Sequence, residues 1–169
     1  MAKKVDQRND VSTADTQFVV DKGKLELRMS RVFNAPAKTL WRAHVDPKAI
    51  EKWWGPRRFT TEVEKFDLRV GGQWRFINKD AEGNRHVFYG EFREIVEPEK
   101  IDWTFTYEPY PDQVSEETVR FEELPGAKTR LSAVSRFPSI EALEGMTQGG
   151  MEEGARETWD RLAELTEKK

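Results

Sequence analysis

The sequence predicts an α+β domain: one curved antiparallel sheet of about six or seven strands on a long C-terminal helix, with two short helices after the first strand. Three observations carry this expectation. From Thr60 onward, alternating apolar segments recur about every 8–12 residues with turn residues between them, the pattern of a meander and not of βαβ units. Near the C-terminus, Met151, Ala155, Trp159, Leu162 and Leu165 keep a sustained helical spacing with an acidic opposite face. Finally, 35% of the 169 residues are charged and the mean hydropathy is −0.80, yet the chain holds six Trp and ten Phe. Large aromatics must therefore build much of the core, each burying about 150–250 Å².

The elements follow in order. Residues 1–16 are polar, lack periodicity and read as a disordered leader, leaving 17–167 as a single domain. Phe18, Val19 and Val20 precede the turn-forming run Asp21-Lys22-Gly23-Lys24 and mark a short strand. Leu25, Leu27 and Met29 alternate with Glu26, Arg28 and Ser30 and give a strand over 25–33. Asn34-Ala35-Pro36 opens a helix over 36–45, with proline in the first turn. Asp46-Pro47 restarts it, with Asp as N-cap, and Gly55-Pro56 ends this second helix after Trp53 and Trp54. Strands are then expected at Thr60 to Phe66, around Trp74 and Phe76, and through His86, Phe88, Gly90 and Phe92. Ile101, Trp103, Phe105 and Tyr107 alternate cleanly with polar residues, and further strands hold Val119 with Phe121 and Leu131 with Ala133. Ser139 caps a short helix over 139–147, Gln148-Gly149-Gly150 interrupts it, and the last helix runs over 150–166.

Composition removes several classes of function. No apolar run nears the roughly 18–20 residues of a membrane span, so no membrane insertion is expected. The polar N-terminus lacks the apolar stretch of a signal peptide, which points to a cytoplasmic location. The net charge is −3 and the pI about 5.6, which argues against a nucleic-acid partner. Without Cys there is no disulfide or thiolate site, and two His exclude a His-rich metal site, so no cofactor or metal is expected. The sequence carries no HExxH, GxSxG, Walker or GxGxxG motif.

Several local stretches in this order resemble one family: Arg31-Val-Phe-Asn-Ala-Pro36, Leu40-Trp41, Asp46-Pro47, Trp53-Trp-Gly-Pro56, Asp67-Leu-Arg69 with Gly71-Gly72, Tyr89-Gly90, and Gly150-Met-Glu-Glu-Gly154. The chain resembles the family of the activator of Hsp90 ATPase (AHSA1 type), within the START-like, or Bet v 1-like (SRPBCC), superfamily. The resemblance covers residues 17–167 and implies a helix-grip fold, in which a curved sheet wraps the last helix and leaves space beneath it. Members usually carry an apolar residue where this chain has His44.

The aromatic residues on the expected inner faces either fill a core or line a cavity for an apolar guest. The expected ligand-contacting set is Trp54, Trp74, Phe76, His86, Phe88, Trp103, Phe105, Tyr107, Phe121, Met151 and Trp159; no catalytic residue is assigned. Tyr107, His86 and Trp N–H groups would orient the guest. Gly149, Gly150, Met146 and Met151 mark the entrance, with adaptable Met side chains. Arg31, placed between Met29 and Phe33 on the inner face, requires a carboxylate partner. The carboxylate pairs Glu116-Glu117 and Glu122-Glu123 alternate faces of a strand and read as no acid/base dyad. The leading expectation is a monomeric or weakly dimeric binder of a lipid-like, polyketide-like or aromatic small hydrophobic molecule. The resemblance offers two alternatives: a chaperone-associated protein-binding module, or a cyclase- or hydrolase-type enzyme using the same cavity.

Overall fold

The structure is a computed structural model and describes residues 15–167. Its strands are β1 (Gln17–Asp21), β2 (Glu26–Phe33), β3 (Thr60–Phe66), β4 (Gln73–Lys79), β5 (Arg85–Val96), β6 (Lys100–Tyr107), β7 (Ser115–Leu124) and β8 (Lys128–Arg136). The helices α1 (Ala37–Val45) and α2 (Pro47–Trp53) follow β2, while α3 (Ile140–Thr147) and α4 (Met151–Thr166) follow β8. The described strands form one sheet of eight in the order β1-β2-β8-β7-β6-β5-β4-β3, antiparallel throughout. It exceeds the expected size because the short Phe18–Val20 segment pairs fully with β2, Phe18 opposite Met29. The first fourteen residues of the expected leader lie outside the described residues. Its last two sit against α4, where Arg156 donates to Asp15 and to the Thr16 carbonyl.

The local signals explain most boundaries. Asp46 caps α2 by accepting the Lys48 N–H at 3.0 Å, with Pro47 in the first turn. Pro36 differs from expectation: it is the N-cap of α1, its carbonyl receiving the Thr39 and Leu40 N–H groups. Gly55 has φ +98°, which lets the chain leave α2 sharply toward β3. In the turn between β3 and β4, a Cβ on Gly72 would stand 2.0 Å from the Asp67 carbonyl oxygen, and Arg69 donates to the Asp67 carboxylate.

Helices α1, α2 and α4 lie over the inner face of the sheet. The main core gathers Phe33, Leu40, Trp41, Ile50, Trp53, Phe121, Leu131, Trp159 and Leu162. Under α3, a smaller cluster joins Leu27, Phe137, Ala142 and Leu143. Polar bonds fasten the C-terminal half of α4: Arg161 donates to the carbonyls of Lys52 and Gly55, both at 2.7 Å, and Arg57 bonds Glu164. Buried Arg31 finds its carboxylate in Asp160 at 2.7 Å.

Candidate functional site

The inner face is not filled. A cavity of about 780 Å³ lies between the sheet, α2, α3, the N-terminal half of α4 and the β6–β7 loop. That volume suits a small organic molecule. Its wall explains an inversion of the usual burial pattern along β6. Thr104 and Thr106, on the outer face, are buried at 8% and 3% exposure, whereas the inward Trp103, Phe105 and Tyr107 keep open surface. Inward aromatics left uncovered by neighbouring side chains are facing empty volume.

Of the expected contact residues, Trp54, Phe76, His86, Phe88, Trp103, Phe105, Tyr107, Met151 and Trp159 line the cavity. The adjacent Trp pair ending α2 divides its roles. Trp53 is buried and donates its indole N–H to the Ala43 carbonyl at 2.9 Å. Trp54 turns about 100° away along the helix and meets Phe76 and Phe88 edge-on, with centroids 5.0 and 5.3 Å apart. Trp74 and Phe121 do not reach the cavity. Trp74 stacks behind Trp103 at 4.3 Å and donates to the Thr104 carbonyl at 3.2 Å. Phe121 is covered by Trp41 and His44 of α1. Both are on the expected face, but other rings stand between them and the open space.

Four polar side chains on the wall bear on chemistry. His86 Nδ1 lies 2.7 Å from the Tyr107 hydroxyl, with Phe59 packed on the imidazole. Burial raises the Tyr107 hydroxyl pKa, and nearby Tyr110 adds to the rise. His44 sits between Trp53 and Phe121 and donates from Nδ1 to the Leu40 carbonyl at 2.8 Å, leaving Nε2 as the acceptor nitrogen. Burial pulls its pKa down to about 4, so the ring is neutral at pH 7. Glu117 receives the Trp103 indole N–H at 2.7 Å and the Ser135 hydroxyl at 3.2 Å. Burial pushes its carboxyl above the usual range, against the pull of those two donors.

Sequence reasoning missed Glu117 as a wall residue, although the signal was present. Glu117, Val119 and Phe121 share one parity on β7, so an inward Phe121 implies an inward Glu117. The entrance residues do gather: Met146, Met151, Gly149 and Gly150 line the α3–α4 junction, with Gly149 and Gly150 at φ +68° and +81°. Among the described residues, no group of three or more His, Cys, Asp or Glu is placed to hold a metal, and no helix is long and apolar enough to cross a membrane.

A family model described as activator of Hsp90 ATPase homolog 1-like protein matches residues 34–167. The chain belongs to this family. Within the SRPBCC superfamily it shares its fold with many solved structures. Protein Ms6760 from Mycobacterium smegmatis is 28% identical with a TM-score of 0.79, covering 88% of this chain and 94% of that one. A protein from Arthrobacter aurescens is 26% identical with a TM-score of 0.83, covering 89% and 91%. Protein CV1439 from Chromobacterium violaceum is 28% identical with a TM-score of 0.75, covering 85% and 99%. No curated protein matches the chain. The sheet-over-helix architecture is common to this chain and these relatives.

Proposed function

We propose that the protein binds a small hydrophobic molecule, lipid-like, polyketide-like or aromatic, in the cavity under α4. The observation that supports this most is the uncovered inward face of β6, where Trp103, Phe105 and Tyr107 border about 780 Å³ of open volume. A guest burying about 300 Å² of apolar surface gains roughly 7 kcal/mol before ordering costs, so burial alone falls short of micromolar affinity and polar contacts must supply the rest. The polar wall groups then set its orientation.

The test is NMR titration of the indole N–H resonances with a library of lipids and aromatics. Trp103 and Trp159 shift in a saturable manner, and Ala155→Trp, which fills the cavity from α4, removes the effect. If no library member moves either resonance, the reading fails. The family description favours a second reading, an Hsp90-ATPase-activator-like module with a protein partner. A filled interior would suit that role better than an open one. An Hsp90-type ATPase whose rate stays unchanged at saturating protein sets this reading aside.

A further inference from the structure

Glu117 sits on the wall of the cavity, where Trp103 of β6 and Ser135 of β8 stand directly opposite it in register. Its two hydrogen bonds come from neutral donors, one to each oxygen. No lysine, arginine or histidine among the described residues lies within ion-pair distance of it. A carboxylate offers about four acceptor positions, so two donors leave it unsaturated on the cavity side. Packing does not require a charge here, because a glutamine amide accepts from the indole and accommodates the serine equally well. A charge held here without a countercharge is expensive, which is what raises the Glu117 carboxyl pKa, and a donor that completes its acceptor positions offsets that cost.

None of the other titratable wall groups, His44, Arg58, His86, Tyr107, Tyr110 and Glu141, bonds it. The Arg58 guanidinium is exposed and stacks on Phe59, at the His86 end of the cavity. His44 is neutral and committed to the Leu40 carbonyl. His86 is joined to Tyr107, which lies four residues from Trp103 along β6. That is about 13 Å at roughly 3.3 Å per residue. Between the two polar points runs the aromatic surface of Phe105 and Phe88, with Trp54 facing it. An apolar body of about two or three fused rings spans this stretch.

We propose that the guest carries a hydrogen-bond donor, an ammonium or a hydroxyl group, that docks on Glu117, and that anionic amphiphiles such as fatty acids are discriminated against. The proposal rests on the binding reading above and assigns its polarity. The guest's donor takes the open acceptor positions of the carboxylate, and its ring system lies along Phe105 toward the His86–Tyr107 pair.

Four probes on one scaffold test it with the full chain: naphthylmethylamine, naphthol, naphthalene and naphthoate, titrated by calorimetry and by the Trp103 indole N–H resonance. The amine and naphthol bind about tenfold more tightly than naphthalene, and naphthoate binds more weakly than naphthalene. In Glu117→Gln the amine loses about tenfold, naphthoate gains, and naphthalene is unchanged. Ser135→Ala keeps the carboxylate and frees one more acceptor, so it strengthens amine binding. It serves as the second variant should Glu117→Gln fail to fold. The ranking of amine against naphthol separates a cationic from a hydroxylic guest. If naphthoate equals the amine, or the Gln variant preserves the ranking, the polarity is refuted while cavity binding stands. If none of the four binds, the binding reading falls and this one with it.

Discussion

Gly90 makes the sharpest prediction about the sheet that carries the cavity. It lies directly opposite Trp74 in the β4–β5 register. A Cβ built there would stand 1.9 Å from the Thr104 carbonyl oxygen and 2.7 Å from the Trp74 indole nitrogen. Those two atoms are the acceptor and donor of a buried hydrogen bond at 3.2 Å. Gly90→Ala therefore forces a strand displacement and breaks that bond. Overpacking in a tight site costs about 1–3 kcal/mol, and leaving a buried donor and acceptor unpaired costs about 1–3 more. A total near 4 kcal/mol is a large share of the roughly 5–15 kcal/mol that holds a domain folded. For a chain of this size it lowers Tm by about 8–16 °C. Urea and thermal unfolding followed by circular dichroism measure the loss, and hydrogen exchange of the Trp74 indole reports the bond itself. A variant within about 2 °C of wild type with Trp74 still protected would refute the close-packing argument. The same crowding supplies a physical reason for the Tyr89-Gly90 step in the stretch that resembles the family.

Other perturbations have defined outcomes. His44 refuses a proton in the fold that it accepts when unfolded, so stability is lost as pH falls from 6.5 toward 4; at about 1.4 kcal/mol per pH unit the full loss is about 3 kcal/mol. Urea titrations across that range show the slope, and His44→Leu flattens it; an equal slope in the variant would discard the assignment. Glu117 acts in the opposite sense, since its folded carboxyl holds a proton to higher pH than the unfolded one, so acidification through that raised pKa relieves its burial penalty. Asp160→Ala strands the buried Arg31 guanidinium and costs about 2–4 kcal/mol, discounted because Asp160 is half exposed, whereas Arg31→Met removes the charge itself and costs less. Denaturant midpoints of the two variants decide this, and the reverse order would contradict the desolvation argument.

The meander, the two short helices and the closing helix were legible because each rests on a local signal: a cap, a turn glycine or a period of two. Asp46-Pro47 and Gly55-Pro56 bracket α2 through bonds made within a few residues of each other. The wall of the cavity was legible only by face. Alternation states which side of the sheet a ring occupies, not whether another ring lies above it, and this is why Trp74 and Phe121 were expected on the wall. Trp74 on β4 is screened by Trp103 on β6, one strand beyond β5, and Phe121 by α1, both packing events between distant segments. Glu117 shows the converse. Its parity was readable, but a pair of adjacent acids on a strand suggests a solvated edge until the depth of β7 in the sheet, between β6 and β8, is known.

The unequal fastening of α4 has a kinetic consequence. From Glu157 to Glu167 the helix is tied to Arg57, to the α2 carbonyls, to Arg31 and to Asn34. At its other end, a Cβ added to Gly149 or Gly150 would meet nothing within 4 Å, and Met146 and Met151 flank the pair. Opening at that end breaks fewer ties, those of Arg156 to Asp15 and Thr16 and the packing of Met146 and Met151 on the cluster of Leu27 and Phe137, so it belongs among the lower-energy local excursions of the fold. On the binding reading proposed above, guest entry and exit are timed by a hinge at the junction and not by unfolding of the domain. Replacing either glycine strains the backbone at its positive φ, so a variant that slows this motion also lowers the melting temperature.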